Sequence, residues 1–270
     1  MSKVVFITGA SSGIGLSIGN YLYHKGYQVF GTSRTPEKYP NSLFPLIALD
    51  VREELSIQKA FSELFTKAKS VDVVINNAGV GITGPLEEIP LSEIKSHFDT
   101  NLFGPIAVMQ TVLPQLRAQG SGLIINITSI AGYMGLPFRS AYSASKGALE
   151  LITEGIRMEV KPFGVDITNV APGDFATNIA AGRYHAPLQE DSTYFKTYGH
   201  TLNMMNEHVD SGSDPDLMAK AIESIIEAQH PKVHYKVGNF LQRFSIVLKR
   251  ILPDRMYEKM LMKHYGLGRE

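Results

Sequence analysis

Residues 8–15 read TGASSGIG and lie between the apolar run VVFIT at 4–8 and a segment of helical character. Glycine lets the backbone turn tightly and approach a ligand, and the N-terminus of a helix offers free N–H groups and the positive end of a dipole. A strand, a glycine turn and a helix in this order predict a pyrophosphate site. The spacing is G-x-x-x-G-x-G and differs from the common G-x-G-x-x-G fingerprint.

The same turn also matches G-x-S-x-G, the nucleophile elbow of α/β-hydrolases, which would make Ser11 a nucleophile. That elbow takes oxyanion donors from a loop that follows an earlier strand. The sequence places no strand before VVFIT. The context therefore favours nucleotide binding over a hydrolase.

Short β-rich runs recur along the chain with amphipathic segments between them. They are VVFIT at 4–8, YQVFGT at 27–32, PLIALD at 45–50, VDVVIN at 71–76, LIINIT at 123–128, VDITNV at 165–170 and VHYKV at 233–237. Runs that are apolar on both faces are typical of a parallel sheet covered by helices. We therefore predict an α/β fold with one doubly wound (Rossmann) parallel sheet of about seven strands, formed by residues 1–270 as a single domain.

Three longer segments have predicted roles in this fold. Residues 93–118 and 140–162 are predicted to form two long central helices. The helical periodicity weakens after residue 173, so residues 178–213 are predicted to form a long irregular loop that serves as a lid over a site.

The tail at about 239–270 is amphipathic and basic. Its apolar residues recur at helical spacing among Arg243, Lys249 and Arg250, and Pro253 is expected to divide it into two short helices. Such a segment covers a core, a neighbouring subunit or a membrane surface, and the sequence leaves all three open.

Composition excludes several classes of function. The formal net charge is +0 without a long basic run, so no nucleic-acid partner is expected. Cysteine is absent and the eight histidines lack tight ligand spacing, so no disulfide or metal site is predicted. The sequence has neither a signal-peptide pattern at its start nor an apolar run of transmembrane length, which predicts a cytoplasmic protein with membrane association limited to the tail.

The segment AYSASK at 141–146 places Tyr142 and Lys146 four residues apart, on one face of a helix. Such a pair is often only a packed tyrosine beside a snorkelling lysine. Alternatively, the cation lowers the pKa of the phenol from ~10, so that it exchanges a proton near neutral pH. Other parts of the chain must decide between these interpretations.

Further motifs occur in a fixed order along residues 3–177. They are TGASSGIG at 8–15, NNAG at 76–79, Asn101 within TNLFG, Ser129 after LIINIT, YSASK at 142–146, and PG at 172–173 followed by Thr177. With this ordered set the sequence resembles the classical short-chain dehydrogenase/reductase family. The stretches NNAGVGITGPLEEIP, MGLPFRSAYSASKGALE and KPFGVDIT are most similar to its hydroxysteroid and retinol dehydrogenase branch.

The resemblance implies the catalytic residues. Tyr142 would be the general acid in carbonyl reduction and the base in alcohol oxidation, and Lys146 would lower its pKa and bind the nicotinamide ribose. Ser129 would hold the substrate oxygen, although it also reads as an ordinary serine at a strand end. Asn101 would position a water behind the lysine, or satisfy helix backbone at a kink, and both roles are compatible.

The resemblance also implies where a nicotinamide dinucleotide would bind. The pyrophosphate turn would consist of Gly9, Ser11, Ser12, Gly13, Ile14 and Gly15. Asp50 and Val51 would contact adenine, and Asn77, Ala78 and Gly79 would pass the adenosine ribose. Pro172, Gly173 and Thr177 would frame the nicotinamide, beside Tyr142 and Lys146. Asn76 is expected to brace the sheet.

Charge favours NADP over NAD as the cofactor. Where NAD-binding relatives place an acidic residue, eighteen positions after Gly15, this chain has Ser33 followed by Arg34. No carboxylate repels a 2′-phosphate there, and a guanidinium can pair with it and stack on adenine. Arg34 could also be an ordinary solvated loop arginine, which would leave the missing acid unexplained.

The branch resemblance implies a lipophilic carbonyl or alcohol as the small-molecule substrate. Residues 135–138, GLPF, would edge its pocket together with the lid. The family resemblance further implies a homodimer or homotetramer built through the two long helices. The alternative function is a catalytically idle nucleotide-binding sensor or scaffold, which would have no need for Asn101, Ser129, Tyr142 and Lys146 together.

Overall fold

A computed structural model describes residues 2–175, 182–210 and 212–267. The strands are β1 Val4–Ile7, β2 Gln28–Ser33, β3 Leu46–Ala48, β4 Val73–Asn76, β5 Ile82–Thr83, β6 Gly122–Ile127, β7 Val165–Pro172, β8 Tyr184–His185 and β9 His234–Val237. The α-helices are α1 Gly13–His24, α2 Glu54–Lys67, α3 Leu91–Phe98, α4 Gly104–Gln119, α5 Ser140–Val160, α6 Phe195–Asp210, α7 Pro215–Ile226, α8 Phe240–Ile251 and α9 Asp254–His264.

The seven predicted strands form one parallel sheet in the order β3-β2-β1-β4-β6-β7-β9. Each strand begins and ends within two residues of its predicted bounds. The order reverses between β1 and β4, which pair through Val5 with Val73 and Ile7 with Ile75. In open α/β sheets this switch point is where a ligand binds, beyond the carboxyl ends of the strands. The predicted doubly wound fold is confirmed.

Helices cover both faces of the sheet, as predicted. On one face, buried residues of α2, α4 and α5 such as Ile57, Val108 and Leu149 form a continuous core with the strands. On the other face, Ile18 of α1 and Ile222 of α7 pack against the sheet. These two apolar layers fix the ends of the strands, and with them the loops at the switch point.

The first predicted long helix is interrupted. Residues Asp99–Phe103, which include Asn101, form a π-helical turn between α3 and α4. Pro105 lies in the first turn of α4 and has no N–H, so it cannot give Asn101 the usual α-helical hydrogen bond. Turns of this kind are frequent at functional sites.

The predicted irregular lid is largely ordered structure. Within 178–213, β8 pairs with β5 and α6 spans Phe195–Asp210, while residues 178–181 and 211 lie outside the described residues. The buried face of α6 is narrow, with Tyr198, Thr201 and Met205 set among polar residues. A stripe that contains a threonine does not produce a clear apolar period, which is why the sequence suggested a loop.

The tail forms the two predicted helices, α8 and α9, with the break at Pro253. In the described ranges, none of the helices combines the length and the apolar character that spanning a bilayer requires.

Candidate active site

Tyr142 and Lys146 lie one turn apart on the buried face of α5. Tyr142 is 8% exposed and lines a cavity, and Lys146 is 5% exposed. The Lys146 ammonium donates a hydrogen bond of 2.9 Å to the main-chain oxygen of Ile127, at the end of β6. Burial lowers the pKa of Lys146 to about 8, and the nearby Glu150 opposes this. The predicted pair therefore shares a buried site at the end of the sheet.

Ser129 follows β6 and lines the same cavity as Tyr142. Its Oγ accepts a hydrogen bond of 3.1 Å from the N–H of Ala131 and so caps the short helical turn Ile130–Tyr133. The hydroxyl hydrogen is not used by that bond. Ser129 is therefore a structural cap whose O–H is available at the cavity wall.

Asn101 is fully buried and its amide is clamped by the main chain of Val80. The N–H of Val80 donates to Oδ1 at 2.8 Å, and Nδ2 donates to the Val80 oxygen at 2.9 Å. A Cβ built on Gly79 would lie 3.3 Å from Asn101 Oδ1 and 3.5 Å from Lys146 Nζ. Asn101 and Lys146 thus converge on the turn after β4, where the side chain of Asn101 bonds to the main chain of Val80 instead of the helix backbone. Its role in positioning a water behind the lysine stays a prediction.

The glycine turn has the conformation that the motif predicts. Gly9 and Gly13 have φ angles of 64° and 54°, in the left-handed region. A Cβ on Gly15 would lie 2.4 Å from Asn77 Nδ2 and 2.4 Å from the Gly9 oxygen. The hydroxyl of Ser12, the N-cap of α1, makes no cap hydrogen bond, and Ser11 is half-buried beside it. The N–H groups of the first turn therefore lack a side-chain cap, which fits a pyrophosphate.

The NNAG segment braces this turn. Asn77 Nδ2 donates to the main-chain oxygens of Thr8 at 2.9 Å and Gly9 at 3.0 Å, and Thr8 Oγ1 accepts from the N–H groups of Asn77 and Ala78. Asn76 Nδ2 donates to Asn126 Oδ1 at 2.8 Å inside the sheet, as expected. The amide of Asn77 thus holds the glycine turn in place, and the contact of this segment with a ribose stays a prediction.

The predicted adenine end contains one more arginine than the sequence suggested. Ser33 is buried, Arg34 is exposed, and Val51 is buried in the core. The Asp50 carboxylate accepts from Arg52 Nε at 3.0 Å and Nη2 at 2.6 Å, and these hydrogen bonds lower the pKa of Asp50. Arg52 thus holds the Asp50 carboxylate, and the charge of Arg34 also lowers the pKa of this carboxyl.

A cavity of about 750 Å³ lies between α5, the loop after β6 and the glycine turn. Tyr142 and Ser129 form one wall, and Ile14, Pro172 and Gly173 lie where the cofactor is expected. Much of the remaining lining is apolar and comes from distant parts of the chain: Ile82, Met134, Leu136, Phe175, Met204, Met205, Leu241, Met260 and Leu261. Such a mixture of a few polar groups and an apolar wall is typical of a small-molecule site.

Of the residues predicted to edge the pocket, Leu136 lines the cavity. Phe138 instead packs on Tyr198, with ring centroids 5.4 Å apart, and adopts a positive φ of 57°. Thr177, predicted to bind the nicotinamide carboxamide, lies outside the described residues.

The tail covers the cavity, which is one of the three roles that the sequence left open for it. Gln242 of α8 accepts from the N–H of Asp174 at 3.3 Å and donates to the Asp174 carboxylate at 2.7 Å. A Cβ on Gly173 would lie 2.0 Å from Gln242 Oε1, so a larger residue there would displace the Gln242 side chain. Leu241 and Leu261 of the two tail helices contribute to the cavity wall.

Sequence reasoning missed His97, Arg183, Gln242 and Glu150. Glu150 ends the quoted stretch at 134–150 but had no role assigned to it, and the other three lie outside the quoted motifs. The only available signal was the i, i+4 spacing of His97 with Asn101 and of Lys146 with Glu150.

A family model described as short chain dehydrogenase matches residues 3–187. The chain belongs to this family. A 3-ketodihydrosphingosine reductase of Bacteroides thetaiotaomicron is 35% identical over 266 residues, which cover 98% of each chain. An NADPH-dependent 3-dehydrocapnine reductase of Ornithobacterium rhinotracheale is 31% identical over 276 residues, with 97% of this chain and 96% of that reductase covered. A crystal structure of a short-chain dehydrogenase from Streptomyces avermitilis has a TM-score of 0.81 at 30% identity and covers 98% of this chain and 97% of that one.

Membership in the short-chain dehydrogenase family makes the protein an oxidoreductase that acts on CH–OH or carbonyl groups of small molecules. The resemblance drawn from the ordered motifs is confirmed.

Proposed function

We propose that the protein is an NADPH-dependent oxidoreductase that interconverts a ketone or aldehyde and an alcohol on a lipophilic substrate. One observation carries the proposal: Tyr142 and Ser129 line a single, largely apolar cavity that also reaches Ile14 of the glycine turn. A proton donor, a second hydroxyl and a nucleotide turn then meet where a carbonyl group can sit.

In the reductive direction, bound NADPH would supply the hydride. Tyr142 donates its phenolic proton to the carbonyl oxygen as negative charge develops there, and Ser129 donates a hydrogen bond to the same oxygen. The Lys146 cation stabilises the phenolate that remains. Asn101, clamped on Val80, holds the turn beside Lys146 in place. Contact of Thr177 with the carboxamide stays a prediction.

The preference for NADPH over NADH is supported by charge. Arg52 is hydrogen-bonded to the Asp50 carboxylate, and the charge of Arg34 also contributes to the low pKa of that carboxyl. Arg34 is exposed, and its guanidinium can pair with the 2′-phosphate that distinguishes NADPH from NADH.

A ketone substrate is supported by two relatives, which are named as reductases of 3-ketodihydrosphingosine and 3-dehydrocapnine. A lipophilic substrate is supported by the apolar cavity wall and by the cover that the tail provides. Burial of apolar substrate surface there contributes about 25 cal/mol per Å².

We further propose that the tail contacts an anionic bilayer from which the substrate enters. Phe240, Phe244, Val247 and Ile251 lie on one face of α8 and are exposed, Phe240 by 68% and Ile251 by 72%. The cations Arg243 and Arg250 follow two of them by three residues, and Leu241 of the same helix lines the cavity. An apolar face flanked by cations beside a substrate entrance fits acidic headgroups.

Flotation with vesicles of phosphatidylglycerol and of phosphatidylcholine tests this contact. We expect binding to the acidic vesicles, lost in Phe240→Ser/Phe244→Ser and retained in Leu55→Ser, an equally exposed leucine of α2. Equal flotation of all three proteins contradicts the proposal. If the double variant changes the molar mass in solution instead, this face binds a second copy of the chain.

A homodimer or homotetramer through the central helices is also part of the proposal. Leu151 and Met158 of α5 are 69% and 72% exposed on one face, and a Cβ on Gly155 between them would meet no atom within 4 Å. An exposed apolar face with a glycine at its centre suits close packing of two helices. Light scattering after gel filtration should give a multimer that Leu151→Glu dissociates; a monomeric wild type contradicts it.

Absorbance of the reduced nicotinamide tests the function itself, with NADPH or NADH and a panel of lipophilic ketones and aldehydes. We expect turnover with NADPH and at least one panel member. Tight NADPH binding without reduction of any member favours the sensor alternative, and failure to bind NADPH contradicts the cofactor site. A cytoplasmic location, with or without membrane contact, stays a prediction that cell fractionation checks.

A further inference from the structure

Two arginines, Arg139 and Arg183, line the same cavity as Tyr142. In the described part of the chain, the arginines that pair with a carboxylate within 4.0 Å are Arg52 and Arg157, and neither cavity arginine does so. The cavity also contains the carboxylate of Asp174, but this accepts a hydrogen bond from Gln242. The proposed function leaves both cavity arginines without a role.

Arg183 is held in place by several contacts. Its Nη2 donates to Asn206 Oδ1 at 2.6 Å, and its aliphatic stem packs so closely on Gly81 that a Cβ there would lie 2.8 Å from Cγ. The next residue, Tyr184, donates its N–H to the Gly81 oxygen at 3.0 Å. The pairing of β5 with β8 and the hydrogen bond to Asn206 thus fix the position of the guanidinium.

Part of this guanidinium meets no acceptor. The Nε of Arg183 is buried and has no hydrogen-bond partner in the described residues. A buried donor without a partner destabilises the folded state, so such groups commonly face a ligand or a water. A planar guanidinium that already uses one nitrogen retains further donors for an oxyanion.

Arg139 brings a second positive charge to the same region. Its guanidinium lies over the ring of Tyr142, 5.1 Å from the centroid. Burial and the charge of Arg139 lower the pKa of Arg183. Two cations that repel each other in one cavity would both be stabilised by an anion bound between them.

We propose that Arg183, together with Arg139, binds an acidic group, a carboxylate, sulfonate or phosphate, carried by the lipophilic substrate. The inference rests on the proposed function and names the substrate class of that same cavity: a ketone with an acidic group near the carbonyl and an apolar chain. Since Arg139 lies against Tyr142, the acidic group sits on the side of the cavity where the carbonyl is reduced.

Calorimetry on the protein saturated with NADPH tests the anion site without any turnover. The probes are octanesulfonate, octanoate and octanol, which share one chain length. We expect both anions to bind more tightly than octanol. Arg183→Gln should weaken the affinity for octanesulfonate on the order of tenfold to a hundredfold and leave the affinity for octanol unchanged. Arg117→Gln, an exposed arginine over the ring of Phe163, should behave as wild type.

Three results would overturn the proposal. The first is equal affinity for octanol and the anions, and the second is unchanged octanesulfonate binding in Arg183→Gln. The third is a weaker affinity of that variant for NADPH itself, which would assign Arg183 to the cofactor. If Arg183→Gln does not fold, Arg183→Lys, which keeps the charge but not the planar fork, should still weaken octanesulfonate severalfold.

A second arm separates this proposal from the function on which it rests. Turnover with NADPH is compared between a long-chain 3-oxo acid and its methyl ester. Preference for the acid, lost in Arg183→Gln, supports both. Equal turnover of acid and ester supports the reductase and overturns the anion site. Anion binding by calorimetry without turnover of any ketone keeps the anion site and contradicts the proposed function.

Discussion

The imidazole Nε2 of His97 lies 3.2 Å from the amide nitrogen Nδ2 of Asn101. The N–H of Val80 donates to the other amide atom, Oδ1, which fixes the orientation of the amide. Nε2 also lies 2.9 Å from Ser145 Oγ, and burial lowers the pKa of the imidazole to about 4, so His97 is neutral at pH 7. A neutral histidine therefore helps to hold the asparagine that stands beside Lys146.

This relationship predicts a loss of stability in acid. Burial, with a smaller contribution from the Lys146 charge, lowers the pKa of His97 from 6.5 to about 4. Between these values the unfolded chain binds a proton that the folded chain does not. The free energy of unfolding therefore decreases by up to about 3 kcal/mol as the pH falls from 6.5 to 4. Urea unfolding should show that wild type loses stability relative to His97→Gln as the pH falls from 7 to 4.5. A stability difference that does not change with pH would contradict a neutral, buried His97.

Glu150 predicts the opposite dependence on pH. Burial raises the pKa of this carboxyl from 4.5 to about 7, against the hydrogen bond of 3.0 Å from Thr128 Oγ1. The folded chain keeps a proton that the unfolded chain releases, so this group destabilises the fold as pH rises from 4.5 to 7, by up to about 3 kcal/mol. Glu150→Gln should therefore gain stability over wild type across this interval in the same urea series. A gain in stability that does not depend on pH would contradict this explanation.

The glycine turn predicts the effect of adding one methyl group. In Gly15→Ala the new Cβ would overlap Asn77 Nδ2 and the Gly9 oxygen, so the turn must shift. We expect a loss of about 1–3 kcal/mol of stability and a rise of tenfold or more in the Kd of NADPH, measured by fluorescence. Gly135→Ala, where a Cβ meets nothing within 4 Å, should bind NADPH as wild type does. Normal NADPH binding by Gly15→Ala would place the cofactor elsewhere.

Arg34 predicts the choice of cofactor. Loss of a charge-assisted hydrogen bond to the 2′-phosphate weakens the binding free energy by about 1.5–3 kcal/mol. Arg34→Ala should therefore raise the Kd of NADPH about tenfold or more and change that of NADH little. Titration of both cofactors against wild type, Arg34→Ala and Arg117→Ala checks this. If Arg34→Ala weakens the binding of both cofactors equally, Arg34 does not recognise the 2′-phosphate.

The architecture was predictable because local signals agree with one another. The β-rich runs, the turn at 8–15 and the break at Pro253 each depend on residues close in sequence. Helix α6 was missed because its buried face includes Thr201 and so lacks a continuous apolar stripe. The π-helical turn at Asn101 needed the effect of Pro105 to be considered together with the packing around it.

The site was predictable only where a motif carries it. Tyr142 and Ser129 come together at the cavity, with Lys146 one turn further along α5, because α5 and β6 adjoin in any sheet of this order. Gln242 and Arg183 could not be predicted, since their positions depend on how the tail and β8 fold back over the sheet. Thr177 lies outside the described residues, and its role stays a prediction.

The most direct test of the central claim is a single turnover of ketone by the NADPH complex of Tyr142→Phe. Phenylalanine keeps the ring and its packing and removes only the proton donor. We expect NADPH to bind as in wild type and the rate of NADPH oxidation to fall by about a hundredfold or more. Reduction at the wild-type rate with NADPH bound would contradict the claim that Tyr142 supplies the proton.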